Sequence, residues 1–205
     1  MSGQRLRIGL TGGVAAGKSE VAQILRDLGC FVIDADELAH QVLAEGTVGL
    51  AEVTARFGLG VMGVDGALNR AALAEIVFAD RQSRQDLEAI VHPKVRLLGA
   101  ELEKQAPLGA VVVHEIPLLV ETGQAEDFDA VIVVEVPLET QIHRLMKIRG
   151  WTREAAMARI AAQASQAERR AIATYVLDNT GTHEDLRQRV SEVFVSLIKA
   201  QQAGH

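Results

Sequence analysis

Residues 9–20 read GLTGGVAAGKSE, and the spacing Gly12-x-x-x-x-Gly17-Lys18-Ser19 inside them decides what the rest of the chain must build. The preceding Leu6–Leu10 is short and apolar, as a strand would be. From Ser19 onward, Val21, Ile24, Leu25 and Leu28 recur at helical spacing, with Gly29 as the stop. A glycine-rich turn between strand and helix lets backbone N–H groups converge on an anion while the helix offers its positive end. In that setting Lys18 reaches the β- and γ-phosphates of a nucleotide, and the Ser19 hydroxyl is a ligand for Mg²⁺. Gly13, Val14, Ala15, Ala16, Gly17, Lys18, Ser19 and Glu20 are therefore the expected contacts to ATP. An ordinary glycine turn would account for the composition, but it would not require the strand before and the amphipathic helix after.

Four more apolar runs read as strands. They are Cys30–Ile33, ending in Asp34-Ala35-Asp36; Ala110–Glu115, running into Ile116-Pro117-Leu118-Leu119; Ala130–Val136, stopped by Pro137; and Tyr175–Asp178. Residues 37–105 are helical in pattern around a glycine-rich break, FGLGVMGVDG (57–66), and Pro93 is expected to kink or restart its helix. Residues 138–173 are helical and broken near Gly150. From Thr182 a last helix buries Leu186, Val190, Val193 and Leu197, opened by a capping-box variant with Asp185 in the usual Glu position. Continuous apolar strands alternating with helices imply a parallel sheet covered on both faces. The expected fold is α/β: a doubly wound five-stranded parallel sheet, with a core of 1–36, 106–137 and 174–205. A helical substrate-binding insertion (37–105) and a helical lid (138–173) complete it. Ligands should sit at the carboxyl ends of the strands.

A chain of 205 residues suffices for one such domain with insertions. Its net charge of -6 argues against a general nucleic-acid binder, although a local basic pocket could still hold an anion. The one cysteine, Cys30, excludes a disulfide framework and a Cys-rich zinc site, suits a reducing cytosol, and reads as a buried strand residue. Arg5 and Arg7 are followed at once by the glycine loop rather than by a signal-peptide core, and no apolar run is long enough to span a bilayer. A cytoplasmic protein is expected, with no nucleic-acid or membrane partner and no specific protein partner implied.

The acids at the strand ends supply the other half of a phosphoryl-transfer site. Asp34 can accept the proton of a substrate hydroxyl and hold it in line with the γ-phosphate, while Asp36 suits the cap of a helix starting near Glu37. Glu115 stands where phosphate-loop enzymes usually place an Asp near Mg²⁺, its extra methylene favouring contact through a bound water; a structural role at the strand end is the competing reading. Glu121 could orient substrate. Between His143 and Arg170 the chain carries Arg144, Lys147, Arg149, Arg153, Arg159, Arg169 and Arg170 against only Glu154 and Glu168. A solvated helix face would explain any one of these. As a group they suit a lid whose guanidinium groups stabilise a transferring phosphoryl group, with Arg144 and Arg149 the preferred pair. His92, taken alone, reads as structural.

No Asn-Lys-x-Asp guanine-reading segment is present, which disfavours a common GTPase. No Gly-Gly-Arg-Gly anchor is present, which disfavours a shikimate kinase. A non-catalytic nucleotide-binding module is the third alternative. The ordered segments GLTGGVAAGKS, IDAD, FG with DGALNR, VF, LEAIVHPKVR, IPLLVE, RIAAQ and DNTG resemble the dephospho-CoA kinase family, over about Gly9 to Gly181. The resemblance implies transfer of the γ-phosphoryl group of ATP to the ribose 3′-hydroxyl of dephospho-CoA, with Mg²⁺. It implies Asp34 as catalytic base, with Lys18 and Arg144 assisting catalysis. Arg70, His92, Glu121 and Arg159 fall on the substrate side, Arg149 in the lid, and Asn179 near the adenine of ATP. The family pattern is broken twice: Glu115 replaces an Asp, and Thr174 stands where an Asp is common.

Overall fold

The computed structural model describes residues 5–203, which divide into two compact units. The first runs to Asp34 and resumes at Ala106; the second is Ala35–Gln105.

The first unit is built on five parallel strands: β1 (Leu6–Gly12), β2 (Phe31–Asp34), β3 (Val111–Glu115), β4 (Ala130–Glu135) and β5 (Tyr175–Asp178), in the order β2-β3-β1-β4-β5. Its helices are α1 (Lys18–Asp27), α6 (Leu138–Arg149), α7 (Arg153–Ala161), α8 (Gln166–Ala171) and α9 (His183–Ala203). The alternation of side chains along the strands sorts the apolar runs onto two faces. Ile8, Leu10, Val111, Val113, Ala130, Ile132 and Val134 join Val21, Ile24 and Leu25 of α1 and Leu186, Val190 and Leu197 of α9 in one cluster. Val131 and Val133 point the other way, to Leu119, Phe128 and Ile172. Leu119 is wholly buried, so truncating it to alanine should cost about 2–5 kcal/mol.

The doubly wound five-stranded parallel sheet expected from the sequence is thus the fold. Strand order reverses at β1, between β3 and β4, and the glycine loop leaves the carboxyl end of that strand. Thr182 and Asp185 make both arms of the capping box on α9: the Thr182 hydroxyl accepts from the Asp185 N–H, and the Asp185 carboxylate accepts from the Thr182 N–H. Thr174, where an Asp is common, extends the pairing of β5. Its hydroxyl accepts from the Val131 N–H, and its own N–H donates to the Val131 carbonyl. Cys30 is buried just before β2, and burial pushes its thiol up to about 12, so it stays protonated.

The second unit comprises α2 (Ala35–Val42), α3 (Val48–Phe57), α4 (Arg70–Ala79) and α5 (Arg81–Gln105) around Val42, Leu43, Val53, Val61, Leu73 and Val91. One local expectation gives way here and another is narrowed. The helix after β2 starts at Ala35, so Asp36 lies in its first turn, where a carboxylate complements the helix dipole, and not at its cap. Helix α5 continues through Pro93 and does not restart at it. Packing of Leu87, Ile90, Val91, Val95 and Leu98 on both sides of the proline offsets the roughly 3 kcal/mol that an interior proline costs. Among the described residues no helix is long and apolar enough to cross a membrane.

Candidate active site

A loop can aim its N–H groups inward only if its carbonyls turn outward and are met there. Here side chains meet three consecutive carbonyls. Gln141 Nε2 donates to the Val14 carbonyl (2.9 Å). Arg144 Nη1 donates to the Ala15 carbonyl (3.1 Å) and reaches that of Ala16 (3.4 Å). Asn179 Nδ2 also donates to the Ala16 carbonyl (2.9 Å), and lies 3.5 Å from Glu20 Oε2. Peptide planarity then turns the N–H groups of Ala15 and Gly17 to the opposite side, as an anion cradle requires. Ala15 holds φ 59, a left-handed conformation that costs a non-glycine residue about 1–2 kcal/mol and sits where the loop turns. Gly17 opens α1 at φ 95, and a Cβ there would run into the Asn179 amide. A Cβ on Gly13 would meet Gln141 Nε2 and the Arg169 guanidinium. Lys18 and Ser19 follow as the first two residues of α1.

Asp34 and Glu115 end neighbouring strands in register with each other, and Glu115 is in register with Leu10 on its other side. The Ser19 hydroxyl donates to Glu115 Oε1 at 3.3 Å. Glu115 is 5% exposed, and its pKa is raised: burial is the largest cause, the Asp34 carboxylate adds to it, and Lys18, the Ser19 hydrogen bond and Arg26 oppose it. The residues present fit a divalent cation. A hydroxyl and a carboxylate oxygen adjoin, and both are hard ligands.

The remaining expected site residues fall into three groups. Arg144 and Asn179 brace the phosphate loop. Arg144 also donates to the Asn179 carbonyl (3.0 Å), and Asn179, 4% exposed, donates its own N–H to the Glu135 carbonyl. Glu121 Oε1 accepts from the Ala164 N–H at 2.8 Å, tying the segment after β3 to the α7–α8 connection. Arg149 and Arg159 are exposed, on α6 and α7, and among the described residues their side chains make no hydrogen bond or ion pair. Arg70 and His92 belong to the second unit. Arg70 is exposed at the start of α4, which Asn69 caps. His92 is half-buried on α5; burial lowers its pKa, with Glu88 opposing and Arg96 adding to the shift.

Sequence reasoning missed four residues of the first unit. Arg169, 7% exposed, forms a two-pronged pair with Glu135 (Nε–Oε1 2.8 Å, Nη2–Oε2 3.1 Å) at the end of β4, and donates to the Ala164 carbonyl. Gln141 holds the Val14 carbonyl, and Gln163 Oε1 accepts from the Val14 N–H at 2.8 Å. Arg169 was legible only as one of a group of cations, and Gln163 only as the end of RIAAQ. Nothing local distinguishes Gln141 or Glu135 from any polar residue near a strand end.

A doubly wound parallel sheet with a braced phosphate loop, and acids at the neighbouring strand ends, defines a phosphate-loop kinase fold. A dephospho-CoA kinase family profile matches residues 6–185. The chain is 50% identical over 192 residues to the dephospho-CoA kinase of Thermobifida fusca, covering 94% of this chain and 96% of that one. Two solved structures are similar along nearly the whole length. The protein TT1252 from Thermus thermophilus has a TM-score of 0.83 and 39% identity, covering 95% of this chain and 98% of that one. The dephospho-CoA kinase from Campylobacter jejuni has a TM-score of 0.72 and 30% identity, with 97% and 100% covered. The chain belongs to the dephospho-CoA kinase family.

Proposed function

We propose that this chain transfers the γ-phosphoryl group of ATP to the ribose 3′-hydroxyl of dephospho-CoA, giving CoA and ADP. The observation that carries the reading is the pairing of Asp34 with Glu115 at the carboxyl edge, with the Ser19 hydroxyl on Glu115. One carboxylate serves an acceptor hydroxyl and the other serves the charge of the nucleotide. Family membership supplies the identity of the acceptor.

The phosphate loop from Gly13 to Glu20 holds the β-phosphate against its inward N–H groups and the start of α1. Lys18 places its ammonium on the β- and γ-phosphates. Ser19, with Glu115 directly or through a water, would hold Mg²⁺, which supplies charge neutralisation on the phosphate oxygens. Asp34 accepts a hydrogen bond from the 3′-hydroxyl, holds its oxygen in line, and takes its proton as the new bond forms. The transition state of phosphoryl transfer is loose, so alignment contributes more than proton removal.

Arg144 keeps the loop shaped and offers positive charge beside it. Asn179 lies against the nucleotide through the same loop. Residues 138–173 act as the lid, bringing Arg149 to the nucleotide and Arg159 to the substrate on closing, and excluding water. Residues 37–105 bind the CoA moiety, with Arg70 and His92 contributing from that unit and Glu121 from the segment after β3.

The test is ADP release by the purified protein with ATP and Mg²⁺, offered dephospho-CoA, shikimate, adenosine or no acceptor. Turnover with dephospho-CoA alone supports the reading. Turnover confined to shikimate, or independent of acceptor, refutes it.

A further inference from the structure

Both backbone groups of one residue in the phosphate loop are held by glutamine side chains from different elements. Val14 donates its N–H to Gln163 Oε1 (2.8 Å), and its carbonyl accepts from Gln141 Nε2 (2.9 Å). Gln141 is 4% exposed in α6. Gln163 is different: it lies in the connection between α7 and α8, and its neighbour Ala164 is tethered twice more. The Ala164 N–H donates to Glu121 after β3, and its carbonyl accepts from Arg169, whose other nitrogens grip Glu135 at the end of β4. Two adjacent residues of a connection thus tie together the segments that follow β1 and β3 and, through Arg169, the end of β4.

We propose that Gln163 is a positioning residue, a latch that couples docking of the α7–α8 connection to the shape of the phosphate loop through the Val14 N–H. The carbonyls whose outward turn creates the anion cradle are held by Gln141, Arg144 and Asn179, and none of them by Gln163. Loss of Gln163 therefore leaves a nucleotide site and removes the link between that site and the segment beside it. Gln163 is half-buried, and among the described residues its side chain bonds one amide of the loop, which places it for coupling. The latch rests on the proposed kinase reading for its kinetic consequence, and on geometry alone for its effect on the Val14 amide.

The variant Gln163→Met keeps the length of the side chain and removes the strong acceptor. Hydrogen exchange of the Val14 amide should quicken about tenfold, the scale of one lost hydrogen bond, while the amides of α1 keep their protection. With dephospho-CoA as acceptor, kcat should fall about tenfold while the KM for ATP and the calorimetric affinity for ADP stay within about twofold. The share of ADP released without acceptor should rise, because a loosened connection admits water. In the Gln141→Met background the further loss from Gln163→Met should be smaller than in the wild type, since both amides hold the same residue.

Unchanged exchange at Val14 overturns the contact. An unchanged kcat with faster exchange overturns the coupling, as do equal losses in kcat and ADP affinity. A wild-type protein that does not use dephospho-CoA refutes the kinase reading and leaves the exchange and ADP measurements to decide the latch.

Discussion

Ser19 Oγ and Glu115 Oε1 stand 3.3 Å apart, the first from the opening turn of α1 and the second from the last residue of β3. That pair joins the phosphate loop to the acid edge of the sheet. The Ser19 hydroxyl donates to a buried carboxylate whose ionisation is disfavoured first by burial and then by Asp34, and favoured by Lys18. A bound cation would favour the ionised carboxylate there.

Replacing Glu115 with Gln keeps the size of the side chain and removes its negative charge, leaving a weaker, neutral oxygen ligand. The Mg²⁺ concentration for half-maximal turnover should rise about tenfold, measured by initial rates against metal at saturating substrates. An unshifted metal dependence would return Glu115 to a purely structural role.

The same residue makes a pH prediction for the protein without metal or nucleotide. Its folded pKa lies above the ordinary 4.5, first because of burial and then because of Asp34. A raised carboxylate contributes stability that is complete below the unfolded value and is lost as pH rises through the folded one. Thermal melts should therefore show Glu115→Gln gaining on the wild type as pH rises from below 4.5 to neutrality, with the difference vanishing in acid. A difference that does not change with pH would contradict the assignment.

Asp34→Asn keeps the size of the side chain and removes the proton acceptor. kcat should drop at least ~10²-fold, the usual worth of a general base, with ADP still bound normally by calorimetry. Near-normal turnover would remove Asp34 from its role.

Arg169 and Glu135 make the strongest purely structural prediction. Removing one partner of a buried, doubly hydrogen-bonded pair strands the other charge. Arg169→Met should cost about 3–5 kcal/mol in urea unfolding, and Arg169→Met combined with Glu135→Gln should recover part of it. Equal losses in the single and double variants would show that packing, not charge, holds the site.

Asn179 separates two ways of acting on the nucleotide. It holds the Ala16 carbonyl, so Asn179→Ala should loosen the cradle and weaken both ADP and inorganic tripolyphosphate about five- to tenfold. A loss confined to ADP would place Asn179 on the adenine and not beneath the phosphates.

Much of the fold was legible because parallel strands buried on both faces must be continuous apolar runs, and VVVHE and AVIVVE are such runs. The glycine loop was legible because its spacing is set by local geometry. The long-range bracing was not. Gln141 and Val14 are 127 positions apart, Gln163 and Val14 149, and Asn179 and Ala16 163, so no local pattern records those contacts. The helix does not restart at Pro93 for a related reason: a breaker read locally was outweighed by apolar contacts on either side of it. Asp36 misled by two residues, because a helix start has no sharp signal when the strand before it already ends in acids.

The most direct measurement is the identity of the phosphorylated product. The protein should be incubated with ATP, Mg²⁺ and dephospho-CoA, and the product resolved by mass spectrometry and phosphorus NMR. A single new phosphomonoester on the ribose 3′-oxygen, formed in step with ADP, is the expected result. ADP formed without that ester, or phosphate found on any other hydroxyl, would contradict the account.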